Sequence, residues 1–506
     1  MRHDSLDKVK TNLLIRIDKN KKFNCRIFVS KQVGVKIFCL ISEKKKHAGD
    51  IKDFSQLDLS KFEELTLPWV SCESGDKKDF LDIGSIDKNA FVELTNLTCL
   101  HINIQLKIAY DTLDFKHLIN LKELYLESEF FQELDFPRPP NYLDWSPPPK
   151  LEKLTIAKFN IRLNTLTHLK NLNFLRLDRV KTLGLSDSKA FLDFANLKHL
   201  DFGRTTVVFD CINSSSLHMG PKSLEVLNMG YIRCSNGQQP KIFFENTPNL
   251  KQLKVEVKSL DKIDLVSLKR LSWLEDLSLY VEVCNDDREL IGVLGNFSKL
   301  MKLFVQDLSR VDRDIFKQFP NLESLILWRG NLRDIQSGSF DSLTNLTALD
   351  LRNNKLEQLD EDLFKSLTKL VSLNLSWNPL KRIPSKLFAN LAALNELNLN
   401  GCELFDLEPN TFHGPVNLNI LVLRSNELTH LNEASFKGLK NLTQLDLSRN
   451  ELTEINEETF EDTCNLSELD LDGNQLIDIR LGLNNESCLQ HLKCLDLSGN
   501  KLEKFE

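Results

Sequence analysis

The sequence predicts an α/β-class solenoid: a stack of short units with a parallel β-sheet on its concave side and irregular or short helical segments on its convex side. Three observations lead there. With 506 residues the chain exceeds the size at which a single core keeps growing, so it must be several domains or an array of repeats. The skeleton LxxLxLxxNxL recurs with its first leucine at Leu322, Leu346, Leu370, Leu394, Leu418, Leu442 and Leu466, a strict 24-residue period, and again at Leu492. A phenylalanine stands six residues before that leucine in most units, at Phe316, Phe340, Phe364, Phe388, Phe412, Phe436 and Phe460 among others.

Each part of the unit has a physical reason. In LxL both leucines fall on one side of a strand and the residue between them on the other. A strand this short cannot bury its apolar side alone, so neighbouring units must stack and merge their leucines into one core. The Asn at the ninth position (Asn354, Asn378, Asn426, Asn450, Asn474, Asn500) follows the strand where the chain turns inward. There its side chain can satisfy backbone groups that would each cost about 1–3 kcal/mol if buried unpaired. Cys402 takes that slot in one unit and reads as a buried substitute. The phenylalanines recur in one phase and predict an aromatic spine beneath the convex side.

On these residues the chain resembles the leucine-rich repeat family, whose fold is a curved horseshoe solenoid. The 24-residue period with its aFxxLxxL arrangement is similar to the extracellular, animal-type subfamily. The front of the chain, FNCRI, VKIFC and PWVSC, resembles the amino-terminal cysteine cap of invertebrate Toll-family receptors. That likeness implies a Cys39 to Cys72 bridge, with Cys25 pairing outside the pattern or not at all.

Taken in order, residues 1–61 form an N-terminal segment and cysteine cap, residues 62–321 irregular repeats, and residues 322–506 regular repeats. The first 50 residues hold 13 Lys and Arg against 5 Asp and Glu. This is either a solvated basic face or sequence foreign to the fold, and TNLLIRIDKN lacks the continuous apolar core of a secretory leader. The skeleton then runs, degenerate, from a doubtful unit at Phe62 through Leu97, Leu121, Leu151, Leu172, Leu197, Leu224, Leu250, Leu274 and Leu300. The stretch FPRPPNYLDWSPPPK (136–150) is too rich in proline for regular pairing and is expected to leave the coil as a surface excursion. The chain closes on SGNKLEKFE with no cysteine-rich flank, so an open leucine edge is expected there, covered by further chain or by a partner.

Eleven cysteines, an odd number, leave at least one unpaired within the chain. Adjacent-unit bridges are expected for Cys211 with Cys234 and Cys464 with Cys488, with reduced thiols as the alternative. Acceptor motifs for N-linked sugars stand at Asn96, Asn213, Asn296, Asn345, Asn441, Asn465 and Asn485. Another, at Asn374, falls mid-strand where a sugar would block binding. No stretch reaches the roughly 18 apolar residues of a membrane helix. No phosphate loop, HExxH pair, GxSxG elbow or zinc-ligand spacing occurs, so catalysis, cofactors and metals are not expected. Beyond residue 50 the balance is acidic, which argues against nucleic acid.

Between fixed leucines the variable residues form a written surface. Trp328, Arg329, Arg352 and Trp377 fall in successive strands and, with Ile420, Val422, Arg424 and Arg449, make the candidate binding patch, because Trp and Arg dominate interface hot spots. The resemblance implies a non-catalytic ectodomain of Toll-like-receptor type. It would bind a protein or a microbial pattern molecule outside the cell or at its surface, dimerise, and serve innate immune or developmental signalling. Membrane attachment would need a C-terminal segment beyond these residues. A secreted adhesion or carrier protein and a cytosolic adaptor are the alternatives.

Overall fold

The computed structural model describes residues 10–18, 21–30, 34–39, 64–67, 97–104, 113–128, 145–158, 161–162, 166, 168–180, 182–185, 194–203, 205, 207–209, 216–234, 236–283, 297–306, 308–479 and 488–503. The chain forms two compact units, Met1–Leu250 and Lys251–Glu506.

The first unit opens with antiparallel strands, Lys10–Asp18 against Lys21–Ser30 and the latter against Gly34–Cys39. Their register sets Cys25 opposite Cys39. Cys72, the partner that the resemblance gives Cys39, lies outside the described residues. From Gly34–Cys39 the pairing turns parallel and runs through Glu64–Leu67, Cys99–Ile104, Glu123–Ser128, Lys153–Ala157, Phe174–Asp178, His199–Asp201 and Val226–Asn228. A second parallel ladder, Ile161–Arg162, Thr182–Leu185, Val207–Phe209 and Ile232–Cys234, closes the far side of these turns. The LxxLxL pattern does not announce that ladder. Within the proline-rich stretch, Trp145–Ser146 pairs with Leu113–Asp114, and residues 129–144 lie outside the described set.

The main sheet of the second unit carries eleven parallel strands among the described residues, from Gln252–Ser259 to Cys494–Asp496. Leu325, Leu349, Leu373, Leu397, Leu421, Leu445, Leu469 and Leu495 stand side by side with no slip. A slip of one residue would turn every leucine outward, and burying one leucine side chain is worth about 1.5–3 kcal/mol, so the repeat fixes its own register. Opposite the sheet the chain is short-ranged, with turns, the helix Leu265–Lys269 and 3-10 segments such as Glu457–Phe460.

Two internal columns hold the turns together. The expected asparagine ladder is present: Asn378, 1% exposed, donates from Nδ2 to Leu351 O at 2.9 Å and Leu375 O at 2.8 Å, while its Oδ1 accepts from Leu356 N at 3.2 Å. Asn354, Asn426, Asn450, Asn474 and Asn500 repeat these contacts. The phenylalanine spine is also present. Phe316, Phe340 and Phe364 stack at 5.8 and 6.2 Å, and Phe388, Phe412, Phe436 and Phe460 at 6.1, 6.4 and 6.0 Å, all buried.

Cys402 fills its rung as a thiol that donates to Leu375 O at 3.3 Å, and burial pushes its pKa up to about 12. It is therefore an unreactive structural group. An asparagine there would regain the two short carbonyl contacts made on the neighbouring rungs. Cys402→Asn is expected to raise stability by about 1 kcal/mol, read as a higher denaturant midpoint; a lower midpoint would mean that thiol packing outweighs the extra hydrogen bonds.

Of the cysteines, Cys464 and Cys488 are joined in a disulfide. Cys234 is also disulfide-bonded, and Cys211 lies outside the described residues. Cys494 is an exposed thiol.

Candidate functional site

The outward face of the second unit's sheet is set by alternation: each strand shows the core one set of residues and solvent the other. On strands Gln252–Ser259 to Ala348–Asp350 the outward residues assemble a continuous stack. Lys254 Nζ lies 4.8 Å from the Tyr280 ring centroid, and Tyr280 stacks on Phe304 at 4.2 Å. Phe304 meets Trp328 edge-on at 6.1 Å. Trp328 in turn carries two guanidinium groups, Arg352 at 4.7 Å and Arg329 at 5.2 Å. Each cation over an aromatic face adds about 0.5–2 kcal/mol, so the row is rigid and presents positive charge.

The sequence patch is therefore altered in three ways. It extends further toward the N-terminus than expected, across Phe304, itself buried, to the half-buried Tyr280 and Lys254. The signal was legible, since Tyr280 in LSLYV and Phe304 in LFVQ occupy outward strand positions where most units have small polar residues. Trp328 is a support rather than a presented ring: it is half-buried, and its Nε1 is shielded from solvent without a hydrogen-bond partner. Finally, the patch is discontinuous. Ile420, Val422 and Arg424 lie three strands beyond Arg352, about 14 Å away at the usual strand spacing. Ile420 and Val422 are half-buried, and Arg424 turns the other way, donating to Ser448 Oγ at 2.7 Å and approaching Asp470 Oδ2 at 4.0 Å.

Arg352 also sits 3.1 Å from Asp350 Oδ2, close as an ion pair but not aligned as a hydrogen bond. Burial pushes the Asp350 carboxyl up, opposed by the Arg352 backbone N–H and by its charge. The same position in other units, Asp446, Asp470 and Asp496, accepts the backbone N–H two residues on. Asn374 and Asn398 do the same. This column is turn chemistry, and among the described residues no group of three or more His, Cys, Asp or Glu is placed to hold a metal ion.

The residue that ends each turn of this face has a left-handed backbone: Arg329 (φ 54), Asn353 (φ 56), Trp377 (φ 59), Gly401 (φ 65), Ser425 (φ 54), Arg449 (φ 55), Gly473 (φ 67) and Gly499 (φ 68). Glycine adopts this region freely, whereas a residue with a Cβ is strained there by about 1–2 kcal/mol. Arg329, Trp377 and Arg449 carry that strain while their side chains are exposed. Strain spent on exposed side chains points to display rather than packing.

The sugar acceptors fall in another row, at the strand starts. The Nδ2 groups of Asn345, Asn441 and Asn465 donate to carbonyls of the preceding turn, at Pro320, Val416 and Lys440. Asn345 also lines a groove of about 570 Å³ with Glu323, Asn321 and Lys369. Asn96, Asn213, Asn296 and Asn485 lie outside the described residues.

Residues 320–380 and 416–476 match the family model described as Leucine rich repeat. No curated protein matches the chain in sequence. Among solved structures, the chain is similar to an internalin from Listeria monocytogenes at 20% identity, over 70% of this chain and 82% of that one, with a TM-score of 0.42. It is similar to the TLR13-ssRNA13 complex at 22% identity, over 84% and 76%, with a TM-score of 0.42. It is also similar to the Toll–Spatzle complex of Drosophila at 18% identity, over 87% and 53%, with a TM-score of 0.46.

Proposed function

We propose that this leucine-rich repeat protein is a non-catalytic recognition module, of the kind found in Toll-like-receptor ectodomains, that binds a protein or microbial ligand on the outward face of its sheet. The observation that carries the reading is the row Lys254, Tyr280, Phe304, Trp328, Arg352 and Arg329, a rigid aromatic support ending in two guanidinium groups. Arginine braced on tryptophan is typical of interface hot spots, and an immobilised side chain loses little entropy on binding. The aromatic spine and 24-residue period support the animal-type assignment. The Cys464–Cys488 disulfide fits an oxidising, extracellular compartment. The protein would then serve immune or developmental signalling from outside the cell or from its surface.

The test is a binding screen of the purified chain against an array of extracellular proteins and against microbial envelope preparations. For a true ligand, Trp328→Ala combined with Arg352→Ala is expected to weaken binding at least tenfold while the circular dichroism spectrum is kept. A screen without ligands, or ligands indifferent to this double variant, would refute the reading.

A further inference from the structure

We infer that the surface around Trp377 is a subsite for a neutral sugar, a pyranose unit of a glycan. The inference rests on the recognition reading of this face but uses different residues. Trp377 has a left-handed backbone (φ 59) and is 53% exposed. Its six-membered ring lies against Gly401 in the next turn: a Cβ there would come 2.8 Å from Trp377 Cε3 and 3.0 Å from Cδ2. Gly401 is itself left-handed (φ 65), a conformation glycine adopts without strain, and it is the ring that leaves no room there for a Cβ. The ring thus rests on a flat seat and offers solvent a large aromatic surface.

The outward groups on the same two paired strands are amides. Asn374 Oδ1 accepts from Ser376 N at 3.0 Å and Ser376 Oγ at 2.7 Å, and Asn398 Oδ1 accepts from Asn400 N at 3.0 Å. Both carboxamides are thereby fixed, with their Nδ2 groups left as donors. Asn400 Oδ1 is buried and has no hydrogen-bond partner, an acceptor without a donor that costs about 1–3 kcal/mol as it stands. Among the outward residues from Ser372 to Trp377 and from Glu396 to Gly401 the one formal charge is Glu396, whereas the flanking turns carry Asp350 with Arg352 on one side and Arg424 on the other.

A charged ligand would find its counter-charges on the flanks and not here. A sugar hydroxyl accepts from fixed amide donors such as Asn374 Nδ2 and Asn398 Nδ2 without needing a counter-charge. The C–H face of a pyranose ring suits an exposed indole. Neutral polar surface, fixed amides and an aromatic platform together select a carbohydrate over a peptide side chain of either charge.

The experiment is calorimetric titration of the full chain with neutral hexasaccharides of β-glucan, α-mannan and chitin, and with a high-mannose glycoprotein before and after enzymatic removal of its sugar. At least one probe is expected to bind. Trp377→Ala and Gly401→Ala, the second of which displaces the ring without removing it, should each weaken binding at least tenfold. Trp273→Ala, at another exposed tryptophan, should change it less than twofold. Binding of the free hexasaccharides assigns the ligand to polysaccharide; binding of the glycoprotein alone, lost with its sugar, assigns it to a protein-borne glycan. The inference is overturned if no probe binds, or if both Trp377→Ala and Gly401→Ala bind like the wild type. Sugar binding that fails while array ligands still depend on Trp328 and Arg352 removes this inference and leaves the recognition reading in place. The converse result removes only the other site.

Discussion

Asn378→Ala is expected to destabilise the second unit by about 3 kcal/mol or more, because it strands several backbone groups at once. In the native turn Asn378 serves Leu351 O, Leu375 O and Leu356 N, and the residue is 1% exposed, so water cannot replace the lost bonds. Asn378→Asp separates the donors from the acceptor. It keeps the shape and the oxygen that serves Leu356 N but cannot donate to the two carbonyls, and it is expected to be at least as damaging as alanine. Denaturant titration followed by tryptophan fluorescence is suitable, since Trp377 adjoins the substituted residue. A loss below about 1 kcal/mol would mean that the asparagine column is not an energetic element of this fold.

Phe412→Ala is expected to cost about 3–5 kcal/mol, the range for emptying a buried aromatic site. The ring is 1% exposed and is held at 6.1 Å from Phe388 and 6.4 Å from Phe436, so its loss opens a gap between two turns rather than a dent in one. Phe412→Leu refills most of that volume and should cost about 1 kcal/mol. If leucine proves as damaging as alanine under chemical denaturation, the spine contributes ring stacking and not bulk hydrophobicity alone. Because each turn touches only its neighbours, the damage should appear first as a loss of cooperativity around turns 388–436.

Both columns were legible in the sequence, since each depends on one residue type returning at one phase. Asn354 to Asn474 and Phe316 to Phe460 sit where the 24-residue period puts them, and even the exception, Cys402, is buried on its rung as its position implies. The second ladder, from Ile161–Arg162 to Ile232–Cys234, was not legible, because the irregular turns of the first unit share no motif on that side. The candidate site was half legible. Periodicity identified the outward residues, and so Trp328, Arg352 and Trp377 could be named from sequence alone. Whether those side chains touch one another depends on rotamers and diagonal neighbours, which no repeat pattern encodes.

The sequence by itself determined the solenoid, its parallel register and its two internal columns, because a buried leucine or asparagine has a single acceptable position in every turn. Tertiary structure alone decided that Trp328 is a pedestal for two arginines, that Trp377 lies open against Gly401, and that Arg424 faces Ser448 and Asp470 instead of joining them. Surface side chains are free to choose among neighbours on either side, and only the folded sheet fixes which neighbour each one meets.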